Sequence, residues 1–155
     1  MPASEAAGDK RVQPVVEGWF SLEDPPHLLG RRCRACGSVC FPPTAPGCPN
    51  PACGGTDLEE ARLSRVGRIW SLTEARYPPP PPYPAPEPFR PFGLAAVELG
   101  EERMVVLGQL VAGADVEALR VGDPVELVLD PLWEDADTRY LTWKWRPLPA
   151  DGGDR

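Results

Sequence analysis

Histidine is almost missing from this chain: one residue, His27, in 155. Acid–base or nucleophilic catalysis needs a nucleophile, a base and a group that orients the base. His27 stands between Pro25-Pro26 and Leu28-Leu29, poor surroundings for such chemistry, and reads as an ordinary loop residue. There is no Gly-x-Ser-x-Gly elbow, no phosphate-cradling glycine loop and no dinucleotide fingerprint. Lysine is scarce too, with only Lys10 and Lys144, and 16 basic against 23 acidic residues leave a net charge of −7. Binding a phosphate backbone draws on counterion release by many cations, so nucleic acid is not an expected partner. No apolar run approaches the roughly 20 residues of a membrane-spanning helix, and Met1 to Lys10 lacks the hydrophobic core of a secretory signal. No membrane partner is expected, and the expected location is the cytoplasm.

What is abundant is proline, with 22 residues, and glycine, with 15, which argues against a helical bundle. The acidity is concentrated late: residues 101–155 hold 12 acidic and 6 basic groups, whereas residues 1–56 hold 5 of each. The first 13 residues and residues 149–155 are small, polar and without periodicity, and are expected to be unstructured tails. From Pro14 to Leu22, Val15, Val16, Trp19, Phe20 and Leu22 recur at near-helical spacing, which predicts a short amphipathic helix and a linker over residues 14–29. Gly18 weakens that helix by about 1 kcal/mol relative to alanine.

Five strand-like runs follow residue 60: Gly67 to Tyr77, Phe92 to Leu99, Met104 to Leu110, Val125 to Leu129, and Tyr140 to Trp145. They are rich in β-branched and aromatic residues and are separated by turn signals such as Gly122-Asp123-Pro124. One helical candidate, Asp115 to Arg120, falls between the third and fourth runs. Five strands with a short helix at that place predict an oligonucleotide/oligosaccharide-binding (OB) barrel over residues 61–148. Between the first two strands, residues 77–91 carry nine of the 22 prolines, with Tyr77, Tyr83 and Phe89 among them. Such a loop is either an extended polyproline arm that docks on another protein or a stiff spacer.

All five cysteines lie between Cys33 and Cys53, a spacing that reads as a metal site in a reducing compartment. Cys33-Arg34-Ala35-Cys36-Gly37 is one knuckle, and Cys48 with Cys53 forms a second, wider one that also ends in Cys-Gly. Cys33, Cys36, Cys48 and Cys53 are the expected ligands, a closed four-sulfur shell that holds structure and leaves no open position for catalysis. Zinc is favoured over a single iron because nothing else points to electron transfer. The expected zinc ribbon covers residues 30–60, and metal binding supplies the folding energy for Gly30 to Thr56, which has almost no apolar core. Cys40 is read as a packed thiol, and Arg31, Arg32 and Arg34 as charge balance for the thiolates. Glu126, Asp130, Glu134, Asp135 and Asp137 read as a solvated face. Trp133, Tyr140, Trp143 and Trp145 are either barrel core or an interface patch, with Trp143 and Trp145 on one face of their strand.

Taken together, Trp19-Phe20, the knuckle Cys33-x-x-Cys36-Gly37, Pro42-Pro43, Cys48-Pro49, Gly67-Arg68-Ile69-Trp70-Ser71 and Val121-Gly122-Asp123-Pro124-Val125 resemble the acyl-CoA-associated proteins that join a zinc ribbon to an OB fold. The second knuckle, usually Cys-Pro-x-Cys, is here widened by two residues. The resemblance implies a mainly β chain: an N-terminal helix, a rubredoxin-like zinc ribbon and a C-terminal five-stranded OB barrel. It further implies an accessory subunit without chemistry of its own, partnered with a thiolase-fold aldolase or thiolase-like enzyme. The proline-rich loop and tryptophan-rich last strand resemble the domain that accompanies retro-aldolases of bacterial steroid side-chain degradation, sometimes alongside a hot-dog-fold hydratase. Two other functions fit the residues: an acyl-CoA or lipid carrier using Arg76 and Arg90 for phosphates, and, against the net charge, single-stranded nucleic-acid binding.

Overall fold

The computed structural model describes residues 9–149. Its strands are β1 (Arg11–Pro14), β2 (Leu29–Cys33), β3 (Val39–Cys40), β4 (Leu58–Arg62), β5 (Val66–Ala75), β6 (Phe92–Leu99), β7 (Met104–Leu110), β8 (Pro124–Glu134) and β9 (Thr138–Pro147). The short strands β3, β2 and β4 form one antiparallel sheet, in that order. The others form a second sheet in the order β1-β9-β7-β6-β5-β8, and β8 also pairs with β9, so β5 to β9 close on themselves. Closure removes the unpaired edges that an open five-stranded sheet would expose. The parallel contact inside the ring is β7 with β9, at Gln109↔Lys144 and Leu110↔Trp145. A mostly β chain with a ribbon ahead of a five-stranded OB-like barrel is therefore what the sequence encodes.

Alternation explains the barrel. Along β6 the residues Gly93, Ala95, Val97 and Leu99 point inward and are buried, while Leu94, Ala96 and Glu98 lie toward the outside. Along β5 the alternation breaks once, because the register with β6 shifts between Ile69 and Ser71. The extra residue, Trp70, turns outward and is 60% exposed, and Leu72 returns to packing against the core. Ile69, Val97, Leu99, Leu127 and Trp145 fill the interior, and Phe20, Leu28 and Leu63 join the same cluster from outside the barrel strands. The ribbon and barrel thus share one continuous apolar core.

The predicted helix over Pro14 to Leu22 does not form. Residues 11–14 are instead a strand, β1, running parallel to β9 from Arg11↔Thr138 to Pro14↔Leu141. Beyond it, Gly18 adopts φ +82°, a left-handed conformation that breaks a helix and suits glycine. Backbone groups here find strand-like partners: Val15 N–H donates to the Leu141 carbonyl at 2.9 Å, and Leu29 N–H to that of Trp19 at 2.8 Å. The near-helical spacing of Val15, Val16 and Trp19 arises because an irregular segment lays all three on the core. The unstructured N-terminal tail expected through residue 13 accordingly gives way to β1 at Arg11. Lys10 is also bonded, to Glu134 and the Asp135 carbonyl, and residues 1–8 and 150–155 of the expected tails lie outside the described residues. The candidate helix Asp115 to Arg120 is a single 3₁₀ turn, Val116–Ala118, whose Asp115 side chain accepts from Glu117 N–H.

The proline-rich loop folds back on its own barrel. The Tyr83 ring stacks on Phe92 at 5.8 Å between centroids, and the Tyr83 hydroxyl accepts a hydrogen bond of 3.0 Å from Gln109 Nε2. Phe89 meets Phe92 edge-on at 6.1 Å. Tyr77 remains turned to the outside, 77% exposed.

Candidate metal centre

The two cysteine knuckles lie in the two loops of the ribbon, one after β2 and one between β3 and β4. Cys33 closes β2, and the chain then reverses at Gly37, whose N–H donates to the Cys33 carbonyl at 2.8 Å and whose φ is +78°. Cys48 N–H bonds the Gly55 carbonyl at 2.9 Å, and Cys53 N–H the Asn50 carbonyl at 3.0 Å, so the widened knuckle is held by its own backbone. The two extra residues become a turn in which Asn50 Oδ1 accepts from Ala52 N–H. Widening therefore does not displace Cys53.

The Sγ atoms of Cys33, Cys36, Cys48 and Cys53 all lie within 4.8 Å of one another. Cys36 and Cys48 are 3.4 Å apart, and Cys33 and Cys53 3.8 Å. Zinc–sulfur bonds of about 2.3 Å in a tetrahedron place sulfurs about 3.8 Å apart, so this donor set has the spacing such an ion requires. All five cysteines are free thiols. Cys40 lies outside the group and serves β3 instead, paired opposite Arg31.

The electrostatics of the cluster call for a cation. Hydrogen bonds from the Ser38 hydroxyl and backbone lower Cys36 to about 6. Desolvation pushes Cys48 up to about 12, against the Asn50 N–H that favours its thiolate. Cys53 is also raised: the Gly55 N–H pulls it down but is outweighed by Cys36, desolvation and Cys33 together. Cys36 thus accepts charge, whereas Cys48 and Cys53 resist it through desolvation and the neighbouring thiols. A divalent ion held by all four as thiolates would reverse that penalty. When bound, zinc here supplies a structural cross-link with no position left for substrate.

Two of the three neighbouring arginines, Arg31 and Arg34, bond to groups other than the sulfurs. Arg34 Nε pairs with Glu59 at 3.3 Å and with Asp57 at 3.8 Å, and Arg31 donates to the Leu58 carbonyl at 3.2 Å. They tie β2 to β4. Of the acidic residues read as a solvated face, Glu134, Asp135 and Asp137 are exposed, whereas Glu126 and Asp130 are half-buried: Glu126 bonds Arg146, Asp130 bonds Lys144 at 2.8 Å, and Glu134 bonds Lys10 at 3.0 Å. His27 is tied by its backbone to Ser21, and its Nδ1 is buried without a hydrogen-bond partner among the described residues.

A feature the sequence reading missed is the aromatic joint between ribbon and barrel. Trp143 of β9 meets Phe41 at 5.8 Å, Phe20 at 5.9 Å and Trp19 at 6.2 Å, while Trp19 and Phe41 touch edge-on at 5.8 Å. Two separate segments, Trp19-Phe20 and Phe41, converge on one indole. Its Nε1 donates to the Leu107 carbonyl at 3.0 Å. Trp145 lies deeper on the same strand face, fully buried in the barrel. The signal was present in Trp19-Phe20 and Phe41-Pro42-Pro43, but only a fold brings them together.

Geometry and topology define a class: proteins in which a four-cysteine zinc ribbon precedes an OB-fold barrel. Residues 20–59 match the ChsH2 rubredoxin-like zinc ribbon domain and residues 60–130 the ChsH2 C-terminal OB-fold domain. The chain belongs to this DUF35, or ChsH2-type, family. It is 30% identical over 146 residues to a DUF35 domain-containing scaffold protein of Methanocaldococcus jannaschii, covering 91% of this chain and 94% of that protein. It is 31% identical over 129 residues to a probable enoyl-CoA hydratase alpha subunit of Thermomonospora curvata, spanning 83% of this chain but only 36% of that subunit. Over 49 residues, 32% of either chain, it is 41% identical to the benzoylsuccinyl-CoA thiolase subunit BbsA of Thauera aromatica. Among solved structures, the Ltp2–ChsH2(DUF35) aldolase superposes with a TM-score of 0.62 at 28% identity, covering 87% of this chain and 98% of that one. No helix among the described residues is long and apolar enough to cross a membrane.

Proposed function

We propose that this chain is a non-catalytic accessory subunit that docks on a thiolase-fold acyl-CoA enzyme, with Cys33, Cys36, Cys48 and Cys53 holding one structural zinc. The observation that carries this reading is the structural likeness to a DUF35 chain of an aldolase over nearly that chain's whole length. A scaffold protein, a thiolase subunit and a hydratase alpha subunit among its relatives support the same class of role. The partner enzyme on this reading is a retro-aldolase of steroid side-chain degradation, which cleaves a β-hydroxy acyl-CoA, with a hot-dog-fold hydratase as a further associate. Free thiols and a sulfur-bound zinc fit the cytoplasm.

The outer face of β5 and β7 supplies a surface for such docking. Trp70 is 60% and Leu107 61% exposed, with Val105 beside Leu107 on the same outward row of β7. Large exposed aromatics and aliphatics on a rigid barrel are the usual anchors of a protein interface. The test is co-expression with a thiolase-fold protein encoded beside it, followed by size-exclusion chromatography and an assay of β-hydroxy acyl-CoA cleavage. The expected result is a co-eluting complex that is active, with no turnover by this chain alone. Turnover by the isolated chain, or separate elution of the two proteins, would reject the reading.

A further inference from the structure

A cavity of about 310 Å³ opens between the folded-back proline-rich loop and the barrel. Its apolar walls include Phe92 and Leu110, and its polar lining includes Tyr83, Arg90, Gln109 and Lys144. We propose that this cavity binds a small amphipathic anion, a short apolar body carrying one carboxylate or phosphate group. The site stands whether or not an enzyme docks on the chain.

The chemistry follows from which groups are already engaged. Lys144 is 8% exposed, an ammonium held almost out of water on β9. Its Nζ donates to Asp130 Oδ2 at 2.8 Å and to the Pro131 carbonyl at 3.2 Å. An ammonium has three N–H donors, and the third has no partner among the described residues. Arg90 is exposed in the loop and makes no hydrogen bond or ion pair among the described residues. Gln109 donates to the Tyr83 oxygen, which leaves the phenolic proton free to donate in turn. The one carboxylate in the lining, Glu74, is paired with Arg76 at 2.9 Å, and Asp130 with Lys144.

Among the side chains of the lining, the unengaged N–H and O–H groups of Lys144, Arg90 and Tyr83 therefore outnumber the unengaged oxygens of Gln109 and Glu74, beside an apolar wall. Water satisfies such donors only weakly compared with an anion, whose hydrogen bonds to a guanidinium or ammonium are about twice as strong as neutral ones. A volume near the lower end of small-molecule sites, about 300–1,000 Å³, limits the apolar body to a short one. In a chain of net charge −7, a cavity lined by a buried lysine and by an arginine unpaired among the described residues is a local exception.

Titration calorimetry on the zinc-loaded full chain tests this with octanoate, octyl phosphate, octan-1-ol and inorganic phosphate as probes. Octanoate or octyl phosphate is expected to fill one site per chain, and the tighter of the two identifies the headgroup. Octan-1-ol and phosphate, each offering one half of the chemistry, should bind at least about tenfold more weakly, the loss expected for a charged hydrogen bond. Arg90→Ala should weaken the anion about tenfold, and Tyr83→Phe, which keeps the ring on Phe92, severalfold. Both positions lie in the loop, and circular dichroism confirms the fold of each variant. Octan-1-ol binding as tightly as octanoate, Arg90→Ala and Arg90→Glu binding like the parent chain, or no saturation by any anion below roughly 5 mM, would overturn the site.

Discussion

The ring of Phe41, carried by the ribbon, meets the ring of Trp143, carried by the barrel, edge-on at 5.8 Å between centroids. This contact couples the metal-bearing part of the chain to the part that has its own core. Edge-to-face aromatic pairs add about 0.5–1.5 kcal/mol beyond their buried area. A double-mutant cycle of Phe41→Leu and Trp143→Phe, read by urea unfolding of the zinc-loaded protein, should give a coupling energy in that range. A coupling indistinguishable from zero would mean that this ring pair adds nothing beyond the core the two parts share.

Zinc removal should separate the two parts. The barrel interior is built from Ile69, Val97, Leu99, Leu127 and Trp145, none of which depends on the knuckles, whereas residues 34–57 contain one two-residue strand, β3. Chelation is expected to melt the ribbon while β5 to β9 persist, and to lower the barrel's melting temperature through lost contacts at Trp143. Elemental analysis should return one zinc per chain, falling to none in Cys36→Ser with Cys48→Ser. Cys40→Ser should retain the metal. Hydrogen exchange resolves which amides lose protection, and simultaneous loss across both sheets would contradict the separation.

The barrel was legible because its strands alternate and its turns are marked by glycine, aspartate and proline; Phe92–Leu99 and Met104–Leu110 appear with the expected ends. The four cysteines were legible because ligand spacing is a short-range signal. The first segment was not. Val15, Val16 and Trp19 face the core from irregular backbone, and the partner that orders Arg11–Pro14 is Thr138–Leu141, more than 120 residues away by number. Periodicity reports which residues are buried without reporting the backbone that buries them. The folded-back loop was hidden for the same reason, since Tyr83 finds Phe92 and Gln109 only after the barrel closes.

Gly108 of β7 lies under two tryptophans. A Cβ built there would stand 2.7 Å from Trp145 Nε1 and 3.1 Å from Trp143 Cδ1. Neither indole has room to retreat, because Trp145 is fully buried and Trp143 is held by its bond to Leu107. Gly108→Ala should destabilise the fold by about 1–3 kcal/mol, the range for overpacking, and Gly108→Val by more. Urea unfolding followed by tryptophan emission measures it. An alanine variant as stable as the parent chain would show that the β7–β9 contact is looser than its geometry.

The turn between β8 and β9 predicts a pH dependence. Asp135 accepts from Asp137 N–H at 2.9 Å and Thr138 N–H at 2.7 Å, with the Tyr140 hydroxyl at 3.3 Å. These bonds, the Asp137 and Thr138 backbone groups foremost, hold its carboxyl below the usual aspartate value. Glu134 is lowered as well, first by its hydrogen bond to Lys10 and then by Arg139. For a carboxylate whose folded pKa is depressed, the stabilisation is complete above the unfolded pKa and disappears as pH falls through the folded one. The hairpin tip, including the Trp133–Tyr140 stack at 4.2 Å, should therefore keep its order at about pH 7 and loosen below about pH 4. Asp135→Ala should be less stable than the parent at neutral pH, and the difference should shrink on acidification. Parallel urea titrations at the two pH values read that difference, and one that grows in acid would show that Asp135 contributes as a neutral acid instead.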